Sequence, residues 1–166
     1  MARALIIGCG CRGRELGATL LGRGWQVRGT TRRDSGLAAI EAIGIEARIA
    51  DPDRIASVVE LLDDVSLVVW ALGSVDDGAS RVLNGPRLNR ILEQVVDTPV
   101  RAFIYDSAEI GSGMGPDLGS RLVRKAGERW RIPVAIVQTE PSEWARTVAD
   151  RADRLLGPEP GLPARA

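Results

Sequence analysis

Histidine is absent from the 166 residues. The usual neutral-pH general base and the commonest metal ligand are therefore missing, and any catalysis must use other groups. Cysteine is nearly absent too, with only Cys9 and Cys11. Cysteines this close in sequence rarely pair, and two thiolates do not complete a closed zinc site. Net charge is lacking, because 22 Lys and Arg offset 22 Asp and Glu. Nothing global then draws the chain to DNA, RNA or an acidic membrane. Long apolar runs are missing as well. The segment Ala4–Ile7 is far too short to span a bilayer or to form the core of a signal peptide. These absences read as a cytoplasmic protein with neither nucleic-acid nor membrane partners.

What is present is an ordinary globular composition, 45% hydrophobic and 27% charged, at a length that suits one domain with a sizeable core. Short β-rich apolar runs alternate with amphipathic stretches. The runs predict strands at Ala4–Ile7, Trp25–Thr30, Ile45–Ala50, Ser66–Leu72, Val100–Tyr105 and Pro133–Gln138. Between them, helices are expected over Arg14–Arg23, over Gly36–Ile43 capped by Ser35, and from Asp51 to about Asp63. Others follow over Ser80–Val96, bending near Gly85-Pro86, then over Arg121–Arg131 and Pro141–Leu156. Ser74–Gly78 reads as a polar loop and Ala108–Gly119 as a glycine-rich one. The near-continuous run Leu67-Val68-Val69-Trp70-Ala71 is that of a strand buried on both faces. Strand–helix alternation predicts a doubly wound α/β fold, a parallel sheet in the order 3-2-1-4-5-6 between two helical layers. It is expected to fill residues 1–157, with residues 158–166 a flexible proline-rich tail.

Gly8-Cys9-Gly10-Cys11-Arg12-Gly13 is a G-x-G-x-x-G sequence, placed directly after a predicted strand and at the start of a helix. In that context Gly8 permits a tight turn and Gly10 lets the backbone approach a diphosphate. Gly13 lets helix and strand pack closely. The free amides of the first helical turn then face the phosphates, with Cys11 a small loop residue beside them and Arg12 an added positive charge. A glycine turn that binds nothing is the plainer alternative.

The end of the second strand reads Arg28-Gly29-Thr30-Thr31-Arg32-Arg33. An NAD site carries a carboxylate there for the ribose 2′-hydroxyl. Two adjacent guanidinium forks, with the hydroxyls of Thr30 and Thr31, suit a 2′-phosphate instead and favour NADP over NAD. The competing reading is a solvated basic turn. Asp51 reaches an adenine edge or caps the following helix. Ala71-Leu72-Gly73 ends the fourth strand beside the expected switch point, where Gly73 admits the cofactor or merely begins a loop. Asp76-Asp77 and Asp106, at the ends of strands four and five, are further candidates for a general base.

Three stretches, Leu5-Ile6-Ile7-Gly8-Cys9-Gly10, Val27–Arg32 and Ala50-Asp51, resemble the atypical and extended short-chain dehydrogenase/reductases. The type most alike is the NAD(P)-dependent epimerase/dehydratase-like proteins, and the likeness is strongest over roughly the first 75 residues. The resemblance implies a Rossmann fold and an NAD(P) cofactor. It also implies a Tyr-x-x-x-Lys pair and a serine after strand five. Ser107 stands near the serine position and Lys125, the chain's single lysine, lies on the appropriate helix. Four residues before Lys125 stands Arg121, which cannot give up a proton at ordinary pH, and the single tyrosine is Tyr105. The resemblance places a substrate region after strand six, where 28 residues follow Gln138. A homodimer through Ser80–Val96 or Arg121–Arg131 is a further expectation from likeness. The sequence thus leaves three functions open: an NADP-dependent oxidoreductase or epimerase with a non-standard active site, a non-catalytic NADP(H)-binding sensor that regulates a partner, or a degenerate Rossmann domain that serves as an assembly module without bound nucleotide.

Overall fold

The computed structural model describes residues 2–72, 83–107 and 117–156. Six strands form one parallel sheet in the order β3-β2-β1-β4-β5-β6. They are β1 (Arg3–Ile7), β2 (Gln26–Thr31), β3 (Glu46–Ile49), β4 (Leu67–Trp70), β5 (Ala102–Asp106) and β6 (Val134–Val137). This is the predicted Rossmann-type arrangement, with the order reversing between β1 and β4.

The central strands are buried on both faces. Ala4 and Ile6 of β1, Leu67 and Val69 of β4 and Ile104 of β5 enter one apolar cluster. Their neighbours Leu5, Ile7, Val68, Trp70 and Phe103 enter the other, as the two-residue period of a strand requires. Helices α1 (Cys11–Gly22), α2 (Leu37–Glu41) and α6 (Pro141–Leu156) cover the first cluster through Leu16, Leu20, Ile40 and Trp144. The second is covered by α3 (Ile55–Val59), α4 (Leu88–Val95) and α5 (Leu118–Trp130) through Val58, Ile91 and Val123. Arg28, facing this side from β2, is a buried cation. Glu46, Asp64 and the Leu61 carbonyl satisfy it at 2.8–3.0 Å, which burial of a charge demands.

Helix boundaries depart from expectation where local chemistry intervenes. Helix α1 starts at Cys11, three residues before the predicted Arg14, because Gly10 already accepts from the Arg14 amide at 2.8 Å. Ser35 caps nothing. Asp34–Gly36 is a 3₁₀ turn and α2 follows without a side-chain cap. The helix expected from Asp51 shrinks to Ile55–Val59. Asp51 spends its carboxylate on the Asp53 amide at 2.9 Å, and Ser57 Oγ ties both ends of the turn. Pro86 lacks an N–H, and around it Leu83–Arg87 forms a π turn before α4 begins. Helix α5 begins at Leu118, ahead of the predicted Arg121. The Asp117 carboxylate caps it by accepting from the Ser120 amide at 2.6 Å, a signal the sequence reading passed over. The positions of Gly73, Asp76, Asp77, the loop 108–116 and the tail 158–166 lie outside the described residues. No helix among the described residues is long and apolar enough to cross a membrane.

Candidate functional site

A cleft of about 550 Å³ opens at the carboxyl ends of β1, β2 and β4, over the point where the strand order reverses. Open α/β sheets bind ligands at this place. Its floor is the glycine loop. Gly8 takes φ +87°, a left-handed conformation that strains any other residue. Its amide donates to Thr30 Oγ1 at 3.2 Å and the Cys9 amide donates to the Thr30 carbonyl at 2.9 Å, so β2 holds the turn in place. Gly13 packs α1 onto the strand, since a Cβ there would stand 3.0 Å from the Gly8 carbonyl. Gly10 is the opposite case: a Cβ built on it meets nothing within 4 Å. The fold does not need a glycine there for its own packing, but a ligand lying against the main chain does.

Gly8, Gly10, Cys11, Arg12 and Gly13 all line the cleft, as do Thr30, Thr31 and Arg32 from the end of β2 and Ala71 and Leu72 after β4. Arg33 and Asp51 are not part of the wall. Arg33 is exposed beyond it, and Asp51 turns into its own loop while Ala50 and Pro52 face the cleft. The threonine hydroxyls also serve the scaffold: Thr30 receives the Gly8 amide, and Thr31 Oγ1 donates to the Arg33 carbonyl at 3.3 Å. The side chains of Arg32 and Arg33 make no hydrogen bond or ion pair with any other described residue. Arg14, Gly36 and Leu83 also line the cleft, as do Cys9, Ala50 and Pro52, and none of the six was expected there from the sequence. Arg14 approaches from the first turns of α1, Gly36 from the 3₁₀ turn after β2 and Leu83 from the π turn, and no linear motif marks them.

Arg12 reaches across the carboxyl edge of the sheet. Its Nη2 donates to Asp106 Oδ2 at 2.5 Å, and its guanidinium lies 4.7 Å from the ring centre of Trp144. Trp144 Nε1 donates to the other carboxylate oxygen at 2.9 Å. Asp106 is 2% exposed. Burial pushes its carboxyl pKa up, against the pull of Arg12 and the Trp144 hydrogen bond. Ser107 Oγ donates to Asp117 beside it.

Among the described residues, Tyr105, Ser107, Arg121 and Lys125 do not line the cleft. Tyr105 is buried, with its hydroxyl packed where a Cβ at Gly119 would fall. Lys125 and Arg121 are exposed on α5, and neither they nor Ser107 belongs to the described wall of the cleft. Cys9 is buried, which raises its thiol pKa to about 11 in spite of Arg14, whereas Cys11 is exposed.

Together these features define a Rossmann-type α/β protein with an open glycine-loop cleft at the switch point. No family model matches the chain, and no curated protein does. Among solved structures it is similar to a putative NAD-dependent epimerase/dehydratase from Bacillus halodurans. The TM-score is 0.68 at 18% identity, over 83% of this chain and 70% of that one. It is also similar to ChuY, an anaerobillin reductase from Escherichia coli O157:H7, with TM-score 0.65 at 12% identity over 92% and 91% of the two chains. A third similar structure is the Citrobacter sp. triphenylmethane reductase complexed with NADP(H), with TM-score 0.64, 16% identity and 82% of this chain covered. This chain spans about half the length of that reductase, 48%, and 55% of a Bacillus cereus UDP-glucuronic acid 4-epimerase with TM-score 0.62. The chain is thus a structural match to epimerase/dehydratase and reductase proteins of the Rossmann fold, at low sequence identity.

Proposed function

We propose that the chain binds NADP(H) in this cleft and works as an NADPH-dependent reductase. The observation that carries the reading is the pairing, in one cavity, of Gly10 and Arg32. Gly10 puts no side chain over the start of α1, where a Cβ would meet no protein atom, and Arg32 stands just past the end of β2 with no partner among the described residues. The amides of a helix start suit a diphosphate, and the guanidinium suits the additional phosphate that separates NADP from NAD. Hydride transfer is the cofactor's own chemistry, so the protein need only orient the nicotinamide and the acceptor. The match to ChuY, a reductase, runs over 92% of this chain and 91% of that one and supports this reading.

The test is a thermal shift with NADPH against NADH, followed by NADPH oxidation over aldehydes, ketones, nucleotide sugars, triphenylmethane dyes and anaerobillin. A ligand that binds only the folded state raises its melting temperature, so NADPH is expected to shift it more than NADH. A second reading, a non-catalytic NADP(H) sensor, rests on the separation of buried Tyr105 from exposed Lys125. NADPH binding without turnover on any acceptor selects it. No shift with either nucleotide removes both.

A further inference from the structure

Arg12 is the one residue of the glycine loop whose side chain is held from outside the loop by β5 and α6 together. Its charge meets Asp106 at 2.5 Å, its flat face lies on Trp144, and Trp144 is itself hydrogen-bonded to Asp106. The three groups come from α1, β5 and α6, so they close a ring across the carboxyl edge of the sheet. Arg12 sits in the first turn of α1, between Gly10, which caps the helix without a side chain, and Gly13, which abuts the strand. A cap without a side chain leaves the turn's position to other contacts. Those on the Gly8 side come from Thr30, at the β2 end of the loop. The Arg12 contacts supply the hold on the opposite side.

We propose that Asp106 is a positioning residue of the dinucleotide site. Acting through Arg12, with Trp144 as a backstop, it fixes the first turn of α1 and so the amides that would face the diphosphate. The inference rests on the NADP(H) reading above and adds to it a residue outside the glycine motif. Arginine suits the task where lysine would not. A planar guanidinium pairs with a carboxylate and stacks on an indole at once, and a point-charge ammonium cannot do both well. The ring also explains why a buried carboxylate stands at the end of β5, where Asp106 faces Arg12 from α1, the Trp144 N–H from α6 and, at longer range, the Asp117 charge at the start of α5.

A double-mutant cycle tests it. NADPH dissociation constants are measured by nucleotide fluorescence for the wild-type chain, Asp106→Asn, Arg12→Gln and the double variant, with melting temperatures alongside. Asp106→Asn keeps an acceptor for Trp144 but removes the negative charge that faces Arg12. It is expected to weaken NADPH by about tenfold, the loss that follows from misplacing a charge-assisted contact. Arg12→Lys should fail to restore binding. The double variant should bind within about threefold of Arg12→Gln, because residues acting through one contact are not additive. A Kd for Asp106→Asn within about twofold of wild type, or losses that multiply in the double variant, overturns the proposal. If Asp106→Asn does not fold, Trp144→Phe takes its place in the cycle. It keeps a ring under the guanidinium and removes only the N–H donated to Asp106. Wild-type protein that binds neither NADPH nor NADH overturns the NADP(H) reading itself, an outcome distinct from unaltered binding by the variants.

Discussion

The sulfur of Cys9 occupies the space that a side chain at Gly29 would need: a Cβ built there falls 2.6 Å from it. The glycine loop and β2 are thus keyed together behind the cleft, by a thiol that packs as a small hydrophobe. Cys11, two residues on, lines the cleft and is exposed. A thiol held up at about pKa 11 is almost wholly protonated at neutral pH and unreactive.

Thiol labelling should therefore separate the two cysteines. At pH 7.5 one equivalent of maleimide should enter the native chain, at Cys11, and the second only after unfolding. Saturating NADPH should slow the first label, because the ligand would lie over the helix start. Mass spectrometry of the labelled peptides reads both effects. Labelling of Cys9 in the native chain would contradict the packing described here.

Substitutions at two glycines should have opposite consequences. Gly10→Ala adds a methyl group that meets no protein atom, so stability should change by under about 1 kcal/mol. NADPH affinity should nevertheless fall, the methyl group standing where a diphosphate would lie. Gly13→Ala places a Cβ 3.0 Å from the Gly8 carbonyl and 3.3 Å from Ile6. Overpacking of that kind costs about 1–3 kcal/mol. Denaturant melts and nucleotide titrations on both variants check the pair.

Arg32→Ala and Arg33→Ala are the test of nucleotide choice. Neither side chain has a partner among the described residues, so each variant should keep its stability within about 0.5 kcal/mol. Hydrogen bonds to charged groups contribute about 1.5–3 kcal/mol. Loss of Arg32, which lines the cleft, should then weaken NADPH by roughly 10- to 100-fold and leave NADH nearly unchanged. Arg33 stands outside the wall, and its loss should matter less. Equal losses for both nucleotides would argue against a 2′-phosphate site.

Asp106 should also leave a mark on the pH dependence of stability. Burial raises its pKa in the folded state, whereas the unfolded chain returns it to about 3.9. Between these values the folded state binds more protons, so stability from this group is present in full below the unfolded pKa and is lost as pH rises through the folded one. The stability of wild type relative to Asp106→Asn should accordingly grow as the pH is lowered through that window. Urea melts at a series of pH values from 4 to 7 give the difference, and a flat or reversed trend would show that Arg12 and the Trp144 N–H fully offset the desolvation.

Much of this architecture was legible in the chain itself. Strand periodicity, the continuous apolar run around Val68 and the glycine spacing after Ile7 sufficed for the parallel sheet, its order and the position of the cleft. These are local signals, set by backbone sterics and by the need to bury both faces of a central strand. Thr30 and Thr31 at the end of β2, and Arg32 just past it, were placed beside the cleft the same way, by their distance from the glycines, whereas Arg33 falls outside its wall.

Other features had no linear signature. Arg12 and Asp106 are 94 positions apart, and Trp144 enters from a third element. Their meeting depends on β5 lying two strands from β1 and on α6 returning to the face of α1. Asp51 looked like a cofactor ligand or a helix cap until Ser57 and the Asp53 amide claimed its loop. Short-range sterics and periodic burial thus determined which elements form and where the cleft opens. Which polar groups face one another, and how strongly each is desolvated, was decided only by packing. Electrostatic energies depend on distances in space, and sequence separation does not encode them.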